Sequence, residues 1–239
     1  MSTAGYVGRT AGTVAASYSI VVPPGFVRVP GGMGTPDATA FVVAQLGDQP
    51  DSGTGTAHDG WQLRFGSALD RALVADVDGR VLDSYLSAGP LPGTDVVCSI
   101  VVATVPVTWS EHADLDRLLL RRVATHGANP IVLAGDPAVV WNDSGGQSEP
   151  DGRTARLGGA ADLTPLRRRT VLARITGHHD RLITLVLTIG SATADVSDES
   201  DLDARRRIVD ALTEVFDAMV STFRWRDAEG RLVTDRPLA

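Results

Sequence analysis

The chain has 239 residues and a formal net charge of −7, and its composition, 43% hydrophobic and 21% charged, is that of an ordinary globular protein. A single cysteine excludes an internal disulfide framework, and the acidic balance disfavours nucleic acid as a partner, because that binding depends on neutralising phosphates. The sequence shows neither a secretory signal nor an apolar stretch near the ~20 residues of a membrane-spanning helix, so we expect a cytoplasmic protein that binds no membrane.

The first predicted elements are two short strands. Residues 1–16 are small and polar, and we expect them to form a flexible N-terminus. Residues 18–22 are β-branched and aromatic and end at a Pro-Pro-Gly turn, after which residues 26–29 resume the extended chain. A short helix is expected over residues 35–46, since it opens with Thr-Pro, a pair suited to the start of a helix.

The middle of the chain is predicted to contain a helix followed by two strands. Apolar residues recur at helical spacing over residues 61–77, but Asp78-Gly79 could also turn a hairpin, so helix and hairpin both remain open near Asp78. Residues 81–86 begin a strand, and the apolar run 96–105 predicts a strand inside a sheet. Cys98 lies in that run and is expected to be a small buried hydrophobe rather than a nucleophile.

The second half is predicted to hold two helices and four strands. A helix starts at Ser110 and ends before Gly127, and two short strands within residues 131–141 surround a Gly-Asp-Pro turn. Residues 142–159 read as a polar surface loop, and residues 170–176 and 182–189 as a hairpin that turns at residues 177–180. A final amphipathic helix carries an apolar stripe: Ile208, Val209, Leu212, Val215, Phe216, Met219, Val220 and Phe223.

Together these elements predict one α+β domain over residues 17–226, an antiparallel β-sheet flanked by helices, followed by a loose C-terminal tail over residues 227–239. Their order resembles the PsbP-like fold, which includes the Ran-binding Mog-type proteins. The resemblance rests on the early strand with its Pro-Gly turn, the hairpin of residues 167–189, and the last helix that runs into Ser-Thr-Phe-Arg-Trp at residues 221–225. It implies an α/β/α sandwich and a binding or assembly role without a shared active site.

Arginine usage points to a source organism rather than to a site. All 22 basic residues are arginine and none is lysine, which is typical of GC-rich codon usage and predicts an actinobacterial source. The chain is similar to uncharacterised actinobacterial proteins of this broad group, and this likeness makes a role in specialised secretion a hypothesis. The arginine triplets at residues 167–169 and 205–207 are expected to be a solvated strand end and a solvated helix face.

The sequence contains no recognised catalytic or ligand-binding motif. A Gly-x-Ser-x-Gly nucleophile elbow is absent, and a phosphate-binding loop of the Gly-Lys type requires a lysine. The glycines of residues 31–34 lack the full dinucleotide-binding pattern. Neighbouring residues of an extended chain point to opposite faces, so His178 and His179, which adjoin in the predicted turn, would not readily chelate one ion together. We therefore expect neither a cofactor nor a metal.

We predict a non-catalytic binding or assembly protein that docks another protein. The candidate contact residues are Trp61, Trp109, Trp141 and Trp225, because aromatic side chains dominate interface hot spots. One alternative is a small hydrolase of unrecognised type that uses acids or histidines of residues 142–159 and of the turn at His178. Another is a homo-oligomeric structural module in which an edge strand pairs with its symmetry mate. The sequence specifies neither the partner nor the pathway.

Overall fold

The structure is a computed structural model that describes residues 14–33, 37–38, 40–41, 44, 80–87, 94, 96–107, 115–144, 164–191 and 199–233. The described strands are β1 Ser17–Ser19, β2 Phe26–Pro30, β3 Val81–Ser87, β4 Val96–Pro106, β5 Asn129–Leu133, β6 Asp136–Ser144, β7 Thr164–Arg174, β8 Arg181–Ser191 and β9 Arg224–Arg226. The helices with described bounds are α1 Leu115–His126 and α2 Glu199–Ser221.

Seven strands form one antiparallel sheet in the order β2-β3-β4-β8-β7-β6-β5. The predicted α+β class and antiparallel sheet are thereby confirmed. Strand β4, the long apolar run, pairs on both sides, with β3 and with β8, as its buried β-branched residues predicted. The hairpin of β7 and β8 is also confirmed, and Gly177 turns it with a φ of 80° that suits glycine.

Helices α1 and α2 pack against opposite faces of this sheet. Along β8, Ile183 and Leu185 contribute to the cluster that contains Phe216 of α2. Leu182, whose side chain points the other way, contributes to the cluster that contains Leu119 of α1. Side chains alternate along a strand, so consecutive residues of β8 supply both layers of the core. Each fully buried side chain of this kind stabilises the fold by roughly 1.5–3 kcal/mol.

The first arginine triplet lies inside β7 rather than at a strand end, which corrects the sequence prediction. Arg167 pairs with Asp210 at 2.7 Å and Arg169 with Asp217 at 2.7 Å, and both acids lie on α2. The Nη1 atom of Arg169 also donates a hydrogen bond to the Asn142 Oδ1 of β6 at 3.0 Å. These arginines therefore join α2 to the sheet.

The β5–β6 hairpin turns one residue earlier than predicted. Ala134 and Gly135 have φ values of 50° and 95°, which is the left-handed pair that a two-residue hairpin requires. Asp136 and Pro137 already belong to β6 and pair with Leu133 and Val132. The pairing of β6 with β7 begins only at Ala138, so Pro137 interrupts no ladder on that side.

Strand β1 does not join the main sheet. It pairs with β9, and Tyr18 lies opposite Trp225 in this two-stranded sheet. The chain beyond β9 folds back on it, since the Val233 amide donates to the Trp225 carbonyl at 3.0 Å. At the other end, the Ala15 amide donates to the Thr176 carbonyl at 3.0 Å. The segment after β9 is therefore bonded to β9, and the segment before β1 is bonded to the turn between β7 and β8.

Several predictions lie partly or wholly outside the described residues. Residues 61–77, the choice near Asp78, and residues 145–159 are among them; strand β6 takes up the first three residues of the predicted loop. The described residues of the predicted helix over 35–46, namely Asp37, Ala38, Ala40, Phe41 and Ala44, are helical. The predicted stripe is buried or half-buried except at Val215, which is exposed. Helix α2 ends at Ser221, so Phe223 lies just beyond the helix rather than within it. No helix in the described ranges has the length and apolar character to cross a membrane.

Candidate functional site

A groove of about 520 Å³ lies between the segment that follows β1 and one face of β2 and β3. Ile20, Val22 and Phe26 form much of its apolar wall. Its polar side chains include Tyr18 and Tyr85. Arg28 reaches it from the edge of the sheet, and Pro23 and Pro24 form its rim.

Strand register places these side chains on one face. Arg28 of β2 lies directly opposite Tyr85 of β3, and Pro30 lies opposite Asp83. Residues two apart on a strand share a face, so Arg28, Tyr85 and Asp83 all project toward the groove side of the sheet. Arg28 and Asp83 are diagonal neighbours, a separation that a long side chain spans.

Asp83 connects three strands through its carboxylate. Its side chain is only 5% exposed, and its Oδ1 atom accepts a hydrogen bond from the Arg28 Nε at 2.7 Å. The Oδ2 atom accepts a hydrogen bond from the Tyr18 hydroxyl of β1. The hydroxyls of Tyr18 and Tyr85 are 3.4 Å apart. Both carboxylate oxygens thus have donors, which is what burial of a charged group requires.

The pKa values of Tyr18, Tyr85 and Arg28 are all raised, so each of these side chains keeps its proton at neutral pH. Burial, reinforced by the hydrogen bond to Asp83, raises the pKa of Tyr18 well above its ordinary value. Burial also raises the pKa of Tyr85. The hydrogen bond to Asp83 raises the pKa of Arg28. At neutral pH the groove therefore presents two neutral phenols and one guanidinium cation.

Aromatic packing holds the β1 side of the groove in place. The Tyr18 ring stacks on Phe223 with 5.1 Å between centroids, and Phe223 meets Trp225 edge-on at 4.8 Å. The Trp225 indole Nε1 donates to Asp136 at 2.8 Å, which anchors this end to β6. Trp225 is only 3% exposed, so the structure places it in the core and leaves it no surface with which to contact a partner.

The other predicted contact residues do not line the groove. Trp141 is half-buried against the cluster below α1 and stacks on His126, with 5.5 Å between ring centroids. Trp61 and Trp109 lie outside the described residues. Sequence reasoning missed Tyr18, Arg28, Asp83 and Tyr85 altogether. One signal was available, because an aspartate is an unusual choice for a strand that is buried at most of its positions, as β3 is.

The two histidines of the β7–β8 turn and Cys98 lie outside the groove lining. The His178 Nε2 lies 2.8 Å from the Ala15 carbonyl oxygen, so this ring ties the β7–β8 turn to the segment before β1. His179 is exposed. Cys98 is buried as predicted, and burial raises the pKa of its thiol to about 12. Within the described ranges, no three histidine, cysteine or acidic side chains are placed to hold a metal ion.

No protein-family model, curated protein or solved structure matches this chain.

Proposed function

We propose that this chain is a non-catalytic binding or assembly protein that docks a segment of a partner protein in the groove. One observation carries the proposal. The titratable groups around the groove bond to one another through Asp83, while its walls are apolar and its rim presents an exposed cation. Such a site offers contact area and orientation rather than a reactive atom.

The charge states favour binding over catalysis. A general acid or base works best with a pKa near the operating pH. The pKa values of Tyr18 and Tyr85 are raised instead, and arginine does not release its proton. The groove volume, about 520 Å³, lies within the usual range of ligand pockets, roughly 300–1,000 Å³.

We also propose that the chain has a PsbP-like fold and that it acts in the cytoplasm. Helices on opposite faces of an antiparallel sheet support a PsbP-like α/β/α sandwich, and binding roles are common among proteins of that fold. The ion pairs of Arg167 and Arg169 with acids of α2 leave these arginines less available to phosphates. Both observations favour another protein as the partner, and the cytoplasmic location stays a prediction from the sequence.

Site-specific photocrosslinking in a lysate of the source organism tests this function. A benzophenone amino acid replaces Pro24 at the groove rim or, as the control, Leu120, which is exposed on α1. We expect one protein to crosslink from position 24 and not from position 120. The purified crosslinked protein should then bind the unmodified chain.

A variant pair decides whether that binding uses the groove. Val22→Asp places a charge on the groove wall, whereas Val132→Asp places the same charge on an exposed residue of β5. We expect Val22→Asp to abolish binding and Val132→Asp to preserve it. Equal crosslinking from both positions, or turnover of a substrate that Val22→Asp removes, would contradict the proposal.

A further inference from the structure

We infer that the docked segment is an extended strand that adds to the edge of the described sheet at β2 and places a carboxylate against Arg28. This inference rests on the proposed function, because it specifies the chemistry of what the groove accepts.

The hydrogen-bond register shows which backbone groups of β2 point outward. The Gly31 amide donates to the Leu82 carbonyl at 2.8 Å, so this position bonds toward β3. Antiparallel pairs alternate between bonded and non-bonded positions. Val29 and Val27 therefore bond toward β3, whereas the amides and carbonyls of Phe26 and Arg28 point away from it. Among the described residues, β2 pairs with β3 alone, and these outward groups form a ladder ready for another strand.

The opposite edge of the sheet is less suited to strand addition. Leu133 and Asp136 flank the two-residue turn of the β5–β6 hairpin, so Leu133 and Ile131 bond toward β6. Val132 and Pro130 then point outward, and proline has no amide hydrogen to donate. Proline is a common device against pairing at sheet edges. By the same register Pro30 points outward at the end of β2, but this strand still has two outward amides in alternate positions, at Phe26 and Arg28. Within β5 the register leaves one outward amide, that of Val132. Strand β2 is therefore the edge we assign to the partner.

Arg28 sets the charge of the occupant. Its Nε is committed to Asp83, but its side chain is 62% exposed, and its two terminal nitrogens carry donors beyond that bond. A guanidinium has no acceptor, and its fork suits a carboxylate in two-point contact. Asp83 is buried and holds the guanidinium in place, so the charge presented at the edge is positive.

Strand geometry then fixes a side-chain pattern. The residue opposite Arg28 on an added strand shares the groove face with the residue opposite Phe26, two positions away. The first faces a cation, and the second faces the apolar wall formed by Phe26, Ile20 and Val22. The occupant therefore carries an aspartate or glutamate separated by one residue from a large apolar residue, within a run that favours the extended conformation.

Selection from a displayed library of random dodecapeptides on the purified full-length chain tests this inference. We expect the enriched peptides to share the acidic-x-apolar pattern in one direction. Arg28→Gln should weaken their binding by at least about tenfold, the usual scale of a charge-assisted contact. The matched control is Arg231→Gln, because Arg231 also bonds a buried aspartate through its Nε, at 2.8 Å, and lies outside the groove lining. It should leave binding unchanged.

Amide hydrogen exchange on the wild-type protein provides the second readout. A bound peptide should protect the amides of Phe26 and Arg28 and leave that of Val132 unchanged, and this test holds even if Arg28→Gln fails to fold. Enriched peptides without acids, equal binding by Arg28→Gln, or unprotected amides at β2 would overturn strand addition while leaving the groove function in place. If no peptide is enriched, strand addition is likewise overturned, and the photocrosslinking experiment alone decides the proposed function.

Discussion

Arg28 and Asp83 lie diagonally opposite each other on the first two strands of the sheet, with 2.7 Å between the Arg28 Nε and the Asp83 Oδ1. The aspartate is buried and the arginine is exposed, so the pair reaches from the core to the surface. Because Tyr18 donates to the same carboxylate, strands β1, β2 and β3 meet at one side chain. We call the place where these three strands meet the Asp83 corner. Its stability should depend on Asp83 more than on Arg28 or Tyr18.

Asp83→Asn should lower the free energy of unfolding by about 1–3 kcal/mol, the usual cost of leaving buried polar groups poorly partnered. The amide keeps the shape of the side chain but removes the charge and turns one acceptor into a donor that faces another donor. The exposed Arg28 guanidinium returns to water and contributes little to the loss. Urea denaturation followed by circular dichroism measures the change.

Asp203→Asn is the matched control. Asp203 pairs with Arg206 at 3.1 Å on the surface of α2, and both side chains are exposed. Exposed pairs of this kind contribute roughly 0–1 kcal/mol, so the control should barely change stability. A loss for Asp83→Asn no larger than that of Asp203→Asn would show that the carboxylate does not hold the corner together.

The raised pKa values of Tyr18 and Tyr85 predict a loss of stability in alkali. The fold favours the protonated phenols, whereas an unfolded tyrosine ionises near its ordinary pKa of 10.0. This stabilisation is therefore complete below about pH 10 and decreases as the pH rises above it, because the unfolded state then releases protons that the folded state retains. Phenolate absorbance and circular dichroism, recorded together from pH 8 to 12, should show these two tyrosines ionising only as the protein unfolds.

Tyr18→Phe supplies the comparison for that titration. It removes one of the chain's three tyrosines, so the phenolate signal that accompanies unfolding should fall by one residue. The decline of stability with pH should also become shallower. Reversible ionisation of every tyrosine near pH 10 in a protein that stays folded would refute the burial argument.

Much of the fold follows from local sequence patterns. The apolar run of β4, the β7–β8 hairpin and the stripe of α2 were predictable because each repeats a hydrophobic period within one continuous segment. The turn at Ala134 and Gly135 lies one residue before the predicted Gly-Asp-Pro turn, since the Asp-Pro pair resembles part of a turn in the sequence. In the structure that pair starts β6, where the strand is not yet paired on its second side.

The groove could not be predicted in this way. Tyr18 and Tyr85 are 67 positions apart, and β1 pairs with β9, which lies at the other end of the described chain. No local period encodes such contacts, and the four polar residues involved match no motif. The hot-spot rule for tryptophan does not point to the groove either, because Trp225 is close to it in the fold but is buried behind Tyr18 and Phe223.

Gly31 marks a close backbone approach that ends β2. A Cβ atom at this position would lie 1.8 Å from the Val81 carbonyl oxygen, so any side chain must push the two strands apart. Gly31→Ala should therefore disrupt the β2–β3 pairing and cost more than the roughly 1–2 kcal/mol of a left-handed alanine. Gly25→Ala is the comparison, since Gly25 has a φ of 91° but open space around its Cβ. Thermal unfolding of the two variants should rank Gly31→Ala as the less stable, and the opposite ranking would contradict the close approach.

Pro130 should protect the β5 edge against self-association. Val132 beside it is 71% exposed, and the register places the backbone of both residues on the outer side of the sheet. Pro130→Thr adds an outward amide and a β-branched side chain, which completes an edge able to pair with a second copy. Light scattering across a concentration series should show association of this variant beyond that of the wild type.

Pro137→Thr is the control for that experiment, because Pro137 is an exposed residue of β6, a strand that lies between β5 and β7. The same chemical change there adds an amide that faces the β7 side rather than an outer edge of the sheet, and it should leave the molecular mass unchanged. If both variants associate equally, added β-propensity rather than the edge amide is responsible. If neither associates, the β5 edge is protected by something other than its proline, and the contrast that favours β2 as the docking edge then rests on Arg28 and the groove beside it.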